Sequence, residues 1–75
     1  MNCLVYPNPV QSVLKIETEQ PGNDIRVINA NGETIIEKLS GTNGQDINME
    51  SLPSGLYLII VTNNGASCRV KVFKE

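Results

Sequence analysis

The chain contains no histidine and no tryptophan, one phenylalanine, two tyrosines and two cysteines in 75 residues. Without histidine the commonest general base near neutral pH is missing, and a serine or cysteine nucleophile has no usual partner to activate it. The cysteines, Cys3 and Cys68, sit in no CxxC pattern, so with histidine absent a zinc site of the ordinary kind is excluded. Carbohydrate-binding platforms are short of material for the same reason: Tyr57 falls in a core-like run, which leaves only Tyr6 and Phe73 near the two ends. The Lys and Arg residues, 6 against 8 acidic ones, are scattered through a chain of net charge −2, so no basic patch exists for neutralising phosphates and no nucleic-acid partner is expected. The longest apolar stretch, Leu56 to Val61, is too short to cross a bilayer, and no basic segment followed by an apolar run marks a signal peptide. No glycine pattern matches a phosphate-binding fingerprint, and no Asp/Asn-rich loop has calcium-binding spacing. The expectation is a non-enzymatic chain with no cofactor, no membrane insertion and a monomeric state.

What remains is a globular composition, 40% hydrophobic, at a length that fits one domain over residues 1–75. The hydrophobic pattern has a period of two almost throughout. A strand is already under way at Leu4–Val5–Tyr6, directly after Met1, which suggests a domain excised from a larger protein. Val13 to Thr18 places Leu14 and Ile16 opposite Lys15 and Glu17, and Ile25 to Asn29 places Ile25 and Val27 opposite Arg26. Glu33 to Leu39 carries Ile35 and Ile36, and Gln45 to Asn48 is a short strand around Ile47. Leu56 to Thr62 is apolar on both faces and reads as a central strand covered on both sides. Ala66 to Phe73 alternates Cys68, Val70 and Val72 with Arg69 and Lys71. Asn31–Gly32 and Asn64–Gly65 carry the signature of type I′ hairpin turns, Pro53–Ser54–Gly55 is a turn, and Ser40 to Gly44 is a loop. Met49 to Leu52 has room for one short turn, and no segment has a helical period. About seven short strands with frequent turns predict an all-β antiparallel sandwich of the immunoglobulin-like kind.

Three features are open to a functional reading. In Tyr6–Pro7–Asn8–Pro9–Val10 two prolines forbid regular pairing and stiffen the chain into an extended kink. A strand-switching corner explains it fully; a rigid shape shown to a receptor is the alternative. The terminal run Arg69 to Glu75, with Lys71, Val72, Phe73 and Lys74, is either an edge strand protected by lysine or a docking edge. Cys3 and Cys68 are read as two small buried hydrophobes, with a disulfide joining the two ends of the chain as the alternative.

The order of the motifs resembles a known family, the type A C-terminal sorting domain of the type IX secretion system, also called the Por secretion system C-terminal domain family. The resemblance is carried by VYPNPV at Val5 to Val10, LKI at Leu14 to Ile16 and IRVINANGE at Ile25 to Glu33. INMESLPSGLYLIIV at Ile47 to Val61, with Leu52, Gly55 and Tyr57, and RVKVFKE at Arg69 to Glu75 complete it. It implies an immunoglobulin-like sandwich at the C-terminus of a cargo protein found in the Bacteroidota. The domain would be recognised in the periplasm by the outer-membrane translocon and its shuttle proteins. A sortase-like protease would then remove it as the cargo reaches the cell surface or is secreted. By position, Pro7, Asn8, Pro9, Lys71, Val72, Phe73 and Lys74 become candidates for translocon recognition, whereas Gly32, Leu52, Gly55 and Tyr57 become structural. The cysteines are not expected in the family pattern. The competing function is a retained immunoglobulin-like spacer or a carbohydrate- or protein-binding module.

Overall fold

A computed structural model describes residues 2–19, 21–39 and 44–75; of the expected loop at Ser40 to Gly44, all but its last residue lies outside these. Seven strands follow in order: β1 (Cys3–Tyr6), β2 (Val13–Thr18), β3 (Asp24–Ile28), β4 (Thr34–Lys38), β5 (Gly44–Asn48), β6 (Gly55–Asn63) and β7 (Ala66–Lys74). They form two antiparallel sheets, β1-β2-β5 and β4-β3-β6-β7. The fold is therefore the immunoglobulin-like sandwich expected from the sequence, with three strands facing four.

Alternation decides which side chains meet between the sheets. Leu14 and Ile16 of β2 and Ile47 of β5 are buried from one sheet; Ile25 and Val27 of β3, Tyr57, Ile59 and Val61 of β6 and Val72 of β7 are buried from the other. Val10 and Met49 fill the core from outside the strands. Two contacts close the open sides of the sandwich. Cys3 of β1 and Cys68 of β7 are joined by a disulfide with Cα atoms 6.5 Å apart. On the other side Lys38 Nζ of β4 donates to the Asp46 carbonyl of β5 at 2.9 Å. The reading of the cysteines as separate buried thiols is thus overturned: the short Cβ arms reach across because β1 and β7 lie on the same flank.

Two further expectations are corrected. β6 is a central strand, but it is covered on one side only. Leu56 is 57% exposed and Leu58 and Ile60 are half-buried, all three on the outer face. At Asn31–Gly32 the turn is not type I′, since φ is positive at Gly32 (+86°) and not at Asn31. The Gly32 N–H donates to the Asn29 carbonyl at 3.0 Å and the Asn29 N–H to the Glu33 carbonyl at 2.9 Å. That is a three-residue hairpin loop ending in a left-handed glycine. Asn29 selects it, because its Oδ1 accepts from the N–H groups of both Asn31 and Glu33 at 3.0 Å. Beyond the loop Ile35 bulges out of the ladder, so that Ile36 alone of the pair turns inward opposite Val27. Asn64–Gly65, in contrast, has positive φ at both residues, as a type I′ turn requires.

A Cβ added at Gly32 meets no atom, so substitution there is penalised through the backbone alone. Gly32→Val is expected to lower stability by about 1–2 kcal/mol, the cost of a left-handed residue that carries a Cβ, seen as a lower urea midpoint at unchanged m-value.

Candidate functional site

The chain leaves β1 in the three-stranded sheet and crosses to the edge of the four-stranded one at Pro7–Asn8–Pro9. Val10 then forms a parallel bridge with Lys74 of β7, and the chain returns to its first sheet at β2. This is the strand-switching corner. The Tyr6–Pro7 and Asn8–Pro9 peptide bonds are both cis, and the chain bends at Asn8 and Pro9 instead of running extended as the sequence suggested.

The corner is fastened to β7 by an amide that imitates a strand. Asn8 Nδ2 donates to the Lys71 carbonyl at 3.1 Å, and Asn8 Oδ1 accepts from the Phe73 N–H at 3.0 Å. The Val10 N–H then donates to the Phe73 carbonyl, and the Glu75 N–H to the Val10 carbonyl, each at 2.9 Å. Gln11 Nε2 donates to Glu75 Oε2 at 3.0 Å. Two segments more than sixty residues apart thus become one surface, with Pro7, Asn8, Pro9, Lys71 and Phe73 exposed upon it.

Val72 and Lys74 do not belong to that surface. Their parity turns them inward: Val72 is fully buried and Lys74 is 6% exposed, its Nζ donating to the Glu75 carbonyl at 2.8 Å. Phe73, 44% exposed, pairs instead with Leu56 on the outer face, the two forming an apolar patch at the end of the sheet. Sequence reasoning missed Leu56, because a two-faced apolar run looks the same whether its second face is covered or bare. It also missed Val10, whose only sequence signal is its place directly after the second proline.

Of the residues assigned structural roles, Gly32 and Leu52 lie outside this edge, whereas Gly55 and Tyr57 sit on β6 opposite Lys74 and Val72 of β7. Gly32 ends the β3–β4 loop, Leu52 packs half-buried against the core and Gly55 opens β6. Tyr57 is buried and its hydroxyl donates to the Pro53 carbonyl at 2.6 Å. This is the arrangement of a tyrosine corner, in which a ring in the core ties its hydroxyl to the preceding turn. A second polar clasp joins the sheets at the far end. Buried Asn23 donates through Nδ2 to Thr18 Oγ1 at 2.6 Å and accepts at Oδ1 from Asn63 Nδ2 at 3.1 Å.

The titration of Tyr6 is displaced. Its hydroxyl donates to Glu17 Oε1 at 2.9 Å, and this bond to the neighbouring carboxylate holds the phenol above its ordinary 10.0. The pair therefore favours the folded state while the phenol is protonated, and this contribution is lost as pH rises through the folded-state value. In an ultraviolet titration of phenolate, Glu17→Gln is expected to bring Tyr6 back toward its ordinary value.

Among the described residues no group of acidic or sulfur side chains is placed to hold a metal, and no helix is long and apolar enough to cross a membrane. Fold and surface together define an immunoglobulin-like module with a built edge, composed of a proline corner and a terminal strand. The sequence model of the secretion system C-terminal sorting domain matches residues 4–75, and the chain belongs to that family. Such a domain directs export to the cell surface or secretion. Among solved structures it is similar to PorZ, described as an essential bacterial surface component of the type IX secretion system of Porphyromonas gingivalis. The TM-score is 0.83 at 20% identity, covering 97% of this chain and 11% of that one. That likeness concerns the fold. No curated protein matches the chain.

Proposed function

We propose that this domain is a non-catalytic C-terminal secretion signal, read in its folded form by the type IX outer-membrane translocon and its shuttle proteins. The observation that carries the reading is the joining of Pro7–Asn8–Pro9 to Lys71 and Phe73 through the Asn8 amide, a surface that exists only once the sandwich has formed. A signal of this kind reports that the chain carrying it is folded at its end. Removal by a sortase-like protease, cutting upstream of the domain, is the step that would follow recognition. The competing reading, a retained spacer or protein-binding module, draws on the bare apolar pair Leu56 and Phe73.

The test is a fluorescent reporter with an N-terminal export signal and residues 2–75 at its C-terminus, expressed in a host with a type IX system. The expected result is fluorescence on the surface or in the medium. Asn8→Ala, which removes two exposed hydrogen bonds at a cost of about 1 kcal/mol each at most, leaves the domain folded and reduces export. A reporter held in the periplasm by the unaltered domain would reject the sorting role and favour the retained module.

A further inference from the structure

β7 is the edge of the four-stranded sheet and is nine residues long, but the corner covers only its last part. Its odd-numbered residues turn their backbone groups away from β6, as the bonds from Lys71 and Phe73 to Asn8 and Val10 demonstrate. By the same parity the N–H and carbonyl of Arg69 and the N–H of Lys71 face outward, beyond the reach of the corner. No described strand lies beside them. The other edges are poorer templates: β1 has four residues, β5 has five, and β4 is interrupted by the bulge at Ile35.

The side chains on this stretch set the sign of its partner. Arg69 and Lys71 are exposed on the outer face, opposite Ile60 and Leu58 of β6. The ion pairs among the described residues are Lys15–Asp46 and Arg26–Glu37, and neither Arg69 nor Lys71 takes part in one. A second copy of this chain pairing antiparallel along the same stretch, centred on Val70, would set the Arg69 of each copy against the Lys71 of the other, and like charges placed directly opposite destabilise a ladder. The edge is thus closed to itself and complementary to a strand of opposite charge. On the inner side half-buried Val70 offers an apolar neighbour.

We infer that the open part of β7, centred on Arg69 and Lys71, accepts an extended protein strand by β-addition, the strand carrying carboxylates on its outer face and apolar side chains on its inner one. This names the chemistry of the partner at the surface described above, and its biological meaning rests on the sorting-signal reading. The added strand would run in line with the Asn8–Val10 segment and complete the ladder that this segment begins.

The probe is a short capped peptide of alternating glutamate and valine, with the lysine–valine counterpart as control, added at millimolar concentration to the disulfide-bonded domain labelled for NMR. The acidic peptide is expected to slow amide exchange at Arg69 and Lys71 about tenfold. It should leave Val70 and Val72, already bonded to β6, unchanged, and the basic peptide should have no effect. In the doubly substituted R69E/K71E domain the preference should reverse. Equal protection by both peptides, no protection, or protection at the β1 or β4 edge overturns the inference. Arg69→Pro deletes an outward N–H at an edge where proline is tolerated, and in the reporter assay it separates the two readings. Export by the unaltered domain that persists in the proline variant overturns edge addition and leaves the sorting role standing. Failure of the unaltered domain to export rejects the sorting role and leaves edge addition to the peptide result.

Discussion

Replacing Tyr57 by alanine is expected to lower the unfolding free energy by about 3–5 kcal/mol, the usual range for deleting a buried aromatic ring. The ring is 6% exposed on the inner face of β6, beside Ile59 and Val61 in the row that fills the space between the sheets. In a sandwich this small few neighbours are available to close the resulting cavity. The hydroxyl adds a separable contribution through its bond to the Pro53 carbonyl. Tyr57→Phe keeps the ring and should lose about 1 kcal/mol, the worth of an ordinary hydrogen bond. Urea midpoints of the two variants measure both quantities. A loss under about 1 kcal/mol for the alanine variant would mean that the ring is not part of the core.

The disulfide has an expected effect of similar size by a different route. It closes a loop of 65 residues, nearly the whole chain, and the chain-entropy model gives about 4 kcal/mol for a loop of that length. A domain of this length has on the order of 4–11 kcal/mol in all. The Cys3→Ser/Cys68→Ser domain should therefore unfold at a much lower urea concentration. Its m-value should also rise, since the uncrosslinked unfolded chain exposes more surface. An unchanged midpoint would locate the stability in the strands alone. The bond also agrees with export, because such pairs form and persist outside the reducing cytosol.

Most of the fold is legible in the sequence because alternation along a strand is a direct record of burial. Parity assigns Leu14, Ile16, Ile25, Val27 and Val72 to the inner face, and they occupy it. Parity also places Lys74 with Val72, so its inward position is written in the strand pattern itself. Grouping Lys74 with the exposed recognition residues gives more weight to its charge than to its register. The Asn31–Gly32 dipeptide points to the wrong turn because it carries no information about Asn29, whose side chain captures two loop amides and favours the three-residue form. The run Leu56 to Thr62 misleads in another way, since apolar residues on both faces do not reveal which face has a cover. The cysteine pairing depends on a distance between strands remote in sequence, and no local pattern encodes it. The candidate site is visible in the sequence only as two separate pieces. The proline corner and the terminal strand each stand out, but their union depends on the order of strands in the second sheet.

The same covalent link has a mechanical meaning. A pulling force applied between Asn2 and Glu75 meets Cys3 after one residue and passes through sulfur to Cys68. The chain between the cysteines lies off the path of tension, so β2 to β6 are neither sheared nor unzipped by the pull. Only the stretch from Cys68 onward can extend, and it is pinned alongside by Asn8, Val10 and Gln11. A load hung on the N-terminal side of the oxidised domain therefore tugs on a short tether and leaves the sandwich intact, whereas in the reduced domain the same load peels β1 away first.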